Sequence, residues 1–112
     1  MTNTDVFAID VSRLTPEQVE PGIRVHRLWR SSQAPSAARA LVLDFAPGAV
    51  WPTVDVHEPG PEEVYIVSGQ FEGLTTPDSH HGPGTFLHFE VGTSHQPGSS
   101  TGGRIFVFYP RG

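Results

Sequence analysis

The chain has 112 residues, with 12 acidic against 7 basic side chains and a formal net charge of −5. That length supports one domain over residues 1–112 and leaves no room for a second. The acidic balance excludes the basic stripe of a nucleic-acid binder. The absence of cysteine excludes disulfides, thiolate metal sites and Cys nucleophiles. All seven cations are arginine, which removes lysine Schiff-base chemistry as well.

The N-terminal MTNTDVF lacks the basic and apolar regions of a secretory signal. No apolar stretch approaches the roughly 20 residues needed to cross a bilayer, so a cytoplasmic protein without a membrane partner is expected. Thr15-Pro16-Glu17-Gln18 carries an N-cap, a first-turn proline and a capping-box partner, predicting a short helix that Pro21-Gly22 stops. From there the pattern is strand and turn. Ile23 to Arg30 alternates, with Ile23, Val25, Arg27 and Trp29 on one face. A polar linker runs from Ser31 to Ala38. Further strands are predicted over Arg39 to Ala46, Val50 to His57, Glu63 to Ser68, Gln70 to Leu74, Thr85 to Glu90 and Arg104 to Tyr109. Gly and Pro, 12 and 11 of them, punctuate the chain too often for long helices, and short strands at this spacing predict a sandwich or small barrel.

Two polar clusters stand out. In Asp55-x-His57-x4-Glu62, the first two residues share a strand face. A turn at Pro59-Gly60-Pro61 can return Glu62 beside His57. Gly92-Thr93-Ser94-His95 is a tight turn before a strand, suited to a lone fourth ligand. Imidazoles with carboxylates suit Fe(II), Mn, Ni, Cu or Zn.

These segments resemble a known family. GAVWPTVDVHEPGPEEVYIVSG, residues 48–69, is similar to the first motif of the cupins, usually G-x5-H-x-H-x3-4-E-x6-G. GTFLHFEVGTSHQPGS, residues 84–99, is similar to the second, G-x5-P-x-G-x2-H-x3-N, with Glu90 in place of the proline and Ser99 in place of the asparagine. The Glu62-Glu63 pair, the LVLDFAPGA lead-in and the SHQPGS tail most resemble the cupin domain of ChrR-type anti-sigma factors and the dihydroxyacetophenone-dioxygenase-like cupins.

The resemblance implies an all-β fold, the double-stranded antiparallel β-barrel of jelly-roll type, with one divalent metal inside and assembly as a homodimer. By position, His57, Glu62 and His95 fall on metal ligands, and Asp55 falls where the motif has its first histidine. A carboxylate there favours Fe(II) or Mn and disfavours Cu(I). If Asp55 is too short to reach the ion, the other three form a two-His-one-carboxylate set. The expected function is a small-molecule oxygenase acting on an aromatic or enolisable carbonyl compound, with Glu62 or Asp55 as the catalytic proton carrier. The alternatives are a non-redox isomerase or lyase, and a ligand- or metal-sensing module without catalysis.

The remaining polar and aromatic residues receive structural readings. Glu63 alternates away from Glu62. His80-His81 is expected in a surface loop, His88 packed or half-exposed on a strand and His26 at the surface. Trp51, Phe86, Phe106 and Phe108 are expected in the core or the pocket wall, with Val64, Ile66, Phe86 and Val107 lining the barrel.

Overall fold

The computed structural model describes residues 6–31, 37–57 and 60–112. A 3-10 turn at Val11–Arg13 precedes twelve strands: β1 (Glu17–Glu20), β2 (Ile23–Arg30), β3 (Arg39–Phe45), β4 (Ala49–Val50), β5 (Asp55–Val56), β6 (Glu62–Gly69), β7 (Phe71–Glu72), β8 (His80–His81), β9 (Phe86–Phe89), β10 (Ser94–His95), β11 (Gly98–Ser99) and β12 (Gly103–Tyr109). Six form a sheet in the order β1-β2-β3-β12-β6-β9, four form β4-β11-β7-β8, and β5 pairs with β10. Every pairing is antiparallel.

The two larger sheets close over one apolar core. Ile23, Val25, Leu41, Phe45, Val64, Ile66, Ile105 and Val107 come from the large sheet, and Phe71 from the smaller one, with Leu74 just beyond it. Phe45 meets Phe71 edge-on at 5.1 Å, tying the sheets together. Among the described residues, no helix is long and apolar enough to cross a membrane.

Several local expectations are corrected. The segment read as a helix is β1, because Glu17 to Glu20 completes the sheet edge against Ile23 to Val25 and tertiary pairing outweighs the capping pattern. The strand expected over 50–57 is interrupted between β4 and β5, and that over 70–74 shrinks to β7. The expected His80-His81 loop is β8, paired with β7, and His81 is half-buried. The alternation in β2 slips at Leu28, where the register against β3 shifts and Trp29 turns outward, 43% exposed. Residues 32–36 of the polar linker, Met1 to Asp5 and Pro59 of the proposed turn lie outside the described residues.

His26, expected at the surface, is buried. Its Nε2 bonds with Asp44 Oδ2 at 2.9 Å, and Arg104 donates to the same carboxylate from Nε at 2.6 Å and Nη2 at 2.9 Å. The Arg104 guanidinium, opposed by partial burial and helped by His26, holds the Asp44 carboxyl below its ordinary range. A buried histidine and a bidentate arginine thus share one acceptor on the sheet face opposite Val25. Phe86 is also corrected: it faces solvent, 61% exposed, beside Tyr65 on the neighbouring strand. Val64, Ile66 and Val107 lie in the core as expected, and Phe106 and Phe108 are half-buried.

Candidate metal centre

Four polar side chains converge where β5, β6 and β10 meet. Asp55 and His95 are directly paired across β5 and β10. His57 follows β5, its N–H donating to Thr93 O and its carbonyl accepting from Gly92 N, both at 2.9 Å. That clamp depends on the turn Glu90 to Thr93, in which Gly92 adopts φ +87°, a left-handed conformation that favours glycine. Glu62 opens β6 opposite Phe89 on β9. Phe89 in turn holds both imidazoles, stacking on His57 at 4.8 Å and tilting against His95 at 4.5 Å.

The result is a compact donor set: one ligand-capable atom from each of Asp55, His57, Glu62 and His95 lies within 4.8 Å of all the others. His57, Glu62 and His95 are buried, while the Asp55 side chain is 42% exposed. His57 Nδ1 sits 3.3 Å from Glu62 Oε2, and His95 Nε2 sits 3.5 Å from Asp55 Oδ2 and 4.0 Å from Glu62 Oε1. These separations exceed good hydrogen-bond lengths. Two donors each about 2.1 Å from a shared cation, at angles of about 90 to 110°, would stand about 3.0 to 3.4 Å apart, close to the shorter of them.

Burial sharpens the fit. A carboxylate as deep as Glu62 is costly without a compensating charge. The other ring nitrogens, His57 Nε2 and His95 Nδ1, are buried with no hydrogen-bond partner. Donor types, spacing and burial therefore all suit a divalent ion, and hard oxygen donors beside imidazole suit Fe(II), Mn or Zn alike. The Asp55 carboxyl is held below its ordinary range, first by the His95 ring beside it, against the opposing effect of burial, and further by the charges of His57 and Arg39.

The cluster opens into a cavity of about 240 Å³, lined in part by Asp55, Glu62 and His95. Its walls include Trp51, Leu41 and Val25, and its polar lining adds Arg27, Arg39 and Tyr109. Burial pushes the Tyr109 phenol well above its ordinary range, reinforced by the Glu62 charge and by a hydrogen bond to Glu62. The phenol therefore keeps its proton. Arg39 lies over the Tyr109 ring, 4.0 Å from its centroid.

This barrel recurs in solved proteins. An RmlC-like cupin from Shewanella frigidimarina superposes with a TM-score of 0.78 at 17% identity, over 99% of this chain and 93% of that one. KdgF from Halomonas sp. does so with a TM-score of 0.77 at 27% identity, over 97% and 96%. The chain has the cupin fold. The anti-sigma ChrR of Rhodobacter sphaeroides, solved with SigE, shares the barrel at 18% identity and a TM-score of 0.71; 89% of this chain matches about half, 51%, of that protein. No protein-family model and no curated protein matches the sequence.

The structure brings together all four residues that the motifs single out and leaves the other histidines outside the cluster. His88, expected packed or half-exposed, is exposed, and it bonds Glu63 Oε2 and Glu90 Oε1, each at 3.1 Å. Glu63 indeed faces away from Glu62. Glu90, which replaces the motif proline, thus has a role: its side chain holds His88, and its carbonyl accepts from Thr93 N and Oγ1 in the turn before His95. Sequence reading missed Tyr109, Arg39 and Phe89 at this site. Only the alternation of their strands, which turns each inward, carries a signal for them.

Proposed function

We propose that this cupin is a metal-dependent enzyme that moves a proton at the carbon beside a small substrate's carbonyl group. The observation that carries this reading is the pairing of two opposite proton carriers in one small cavity: Asp55, held ionised, and Tyr109, held protonated, beside a buried donor set. His57, Glu62 and His95, the three buried members, would hold the ion. When bound, a divalent ion there supplies Lewis-acid polarisation of a carbonyl oxygen. Asp55, half-exposed to the cavity, is placed to accept the α-proton. Tyr109 is placed to donate a hydrogen bond or its proton to the oxygen that gains charge. Trp51, Leu41 and Val25 present apolar walls that keep water from competing.

An oxygenase acting on an aromatic or enolisable carbonyl compound is the second reading, favoured by a donor set that suits Fe(II). Deuterium exchange separates the two. With the metal-loaded protein, α-proton exchange of small ketones and oxo-acids in D2O, followed by proton NMR without oxygen, is expected to exceed the background rate. Asp55→Asn is expected to keep its metal yet lose about 10²- to 10⁴-fold in exchange rate, and Tyr109→Phe to lose a similar factor. Oxygen uptake without anaerobic exchange would transfer the site to the oxygenase reading. Silence in both assays with the metal in place would leave a binding or sensing module. Loss of metal in Asp55→Asn would make Asp55 a ligand instead of a base.

A further inference from the structure

The cavity carries a charge that proton transfer alone does not require. Arg39, at the start of β3, and Arg27, on β2, line the same space as Asp55 and Glu62. Arg27 is tied at 3.3 Å to Glu17, an exposed pair at the sheet edge. Arg39 differs: among the described residues no carboxylate lies within salt-bridge distance of it, and its described contact is the face of Tyr109, at 4.0 Å. Stacking steadies the guanidinium but uses none of its five N–H donors.

With an ion on the cluster, two carboxylates face two guanidiniums and a divalent cation, so the cavity is formally positive. A planar, fixed fork beside an apolar wall is the arrangement that recognises a carboxylate bidentately. The volume, about 240 Å³, lies below the roughly 300 to 1,000 Å³ of sites for drug-sized ligands, so the ligand is small.

We infer that the substrate is a small oxo-acid whose carboxylate seats on Arg39 while its carbonyl faces the Asp55–His57–Glu62–His95 cluster. This rests on the reading that the cluster receives a carbonyl group. Arg39 thereby fixes which end of the molecule faces Asp55, and Tyr109, pinned beneath the guanidinium, lies between the two ends. Arg27 widens the positive field at the mouth, where its bond to Glu17 leaves it a weaker partner.

The test is isothermal titration calorimetry of the full chain with 2-oxobutanoate and with its methyl ester, run with and without loaded divalent metal, whose content is measured separately. The acid is expected to bind about 10- to 100-fold more tightly than the ester. Arg39→Gln is expected to erase that preference with metal content unchanged, Arg39→Lys to keep part of it, and Arg27→Gln to reduce it only a few-fold. Equal binding of acid and ester, no binding of either, or an Arg39→Gln protein that still prefers the acid would each overturn the inference. A protein that prefers the acid but takes up no metal would retain the Arg39 seat and refute the metal reading, so the two failures are distinguishable.

Discussion

Replacing His57 or His95 with alanine is expected to leave a folded barrel that no longer retains a divalent metal. Both rings are buried, and each brings a nitrogen to within 3.5 Å of a carboxylate oxygen in the cluster. Structural zinc sites bind with about 10 to 16 kcal/mol shared among four ligands, so one ligand carries about 3 kcal/mol, roughly two orders of magnitude in affinity. The fold should survive because its core is built on Ile23, Ile66, Phe71, Leu74, Val64 and Val107, and meets these rings through Phe89. The exposed cost is the packing against Phe89, whose ring stacks on His57. Metal analysis together with far-UV circular dichroism reads both halves of the expectation. Mutants that fail to fold would instead make the two histidines structural.

The second large effect is a contrast between two glycines of the first motif. Gly48 and Gly69 both adopt left-handed φ, +83° and +79°. A Cβ at Gly48 would meet nothing within 4 Å, whereas at Gly69 it would lie 2.0 Å from Gly102 O and 2.6 Å from Gly103 Cα. Those neighbours are backbone, and Gly103 is itself paired with Gly69 at the start of β12, so neither can yield. Gly48→Ala is therefore expected to cost only the conformational strain, about 1 to 2 kcal/mol. Gly69→Ala adds a backbone clash and is expected to cost about 4 kcal/mol or more, near the upper end of single-substitution effects. Urea unfolding of the pair measures the difference directly. Equal losses would mean that the β6–β12 approach is looser than the structure shows.

That contrast also shows what the sequence made legible. The spacing of Gly48, Asp55, His57, Glu62 and Gly69, and of Gly84, Gly92 and His95, identified the barrel and all four clustered residues, because a ligand set and tight turns impose fixed separations along the chain. The β1 segment carries helix-capping signals because these are local, whereas its pairing with β2 is not legible in the sequence. Alternation alone places His26 outside, because it cannot reveal the Asp44–Arg104 network that allows its burial. For the opposite reason Phe86 reads as core: an aromatic on a strand suggests burial, although here it faces out beside Tyr65. Tyr109 and Arg39 belong to no motif. Their role appears only when β3 and β12 lie side by side, with Arg39 in register against Tyr109.

Metal content of the untagged protein, purified without chelator or added metal and measured by inductively coupled plasma mass spectrometry, tests the central claim most directly. The Asp55–His57–Glu62–His95 cluster predicts close to one divalent transition metal per chain. An empty protein that also refuses Fe(II), Mn, Ni, Cu and Zn on reconstitution, with no rise in melting temperature, would contradict it.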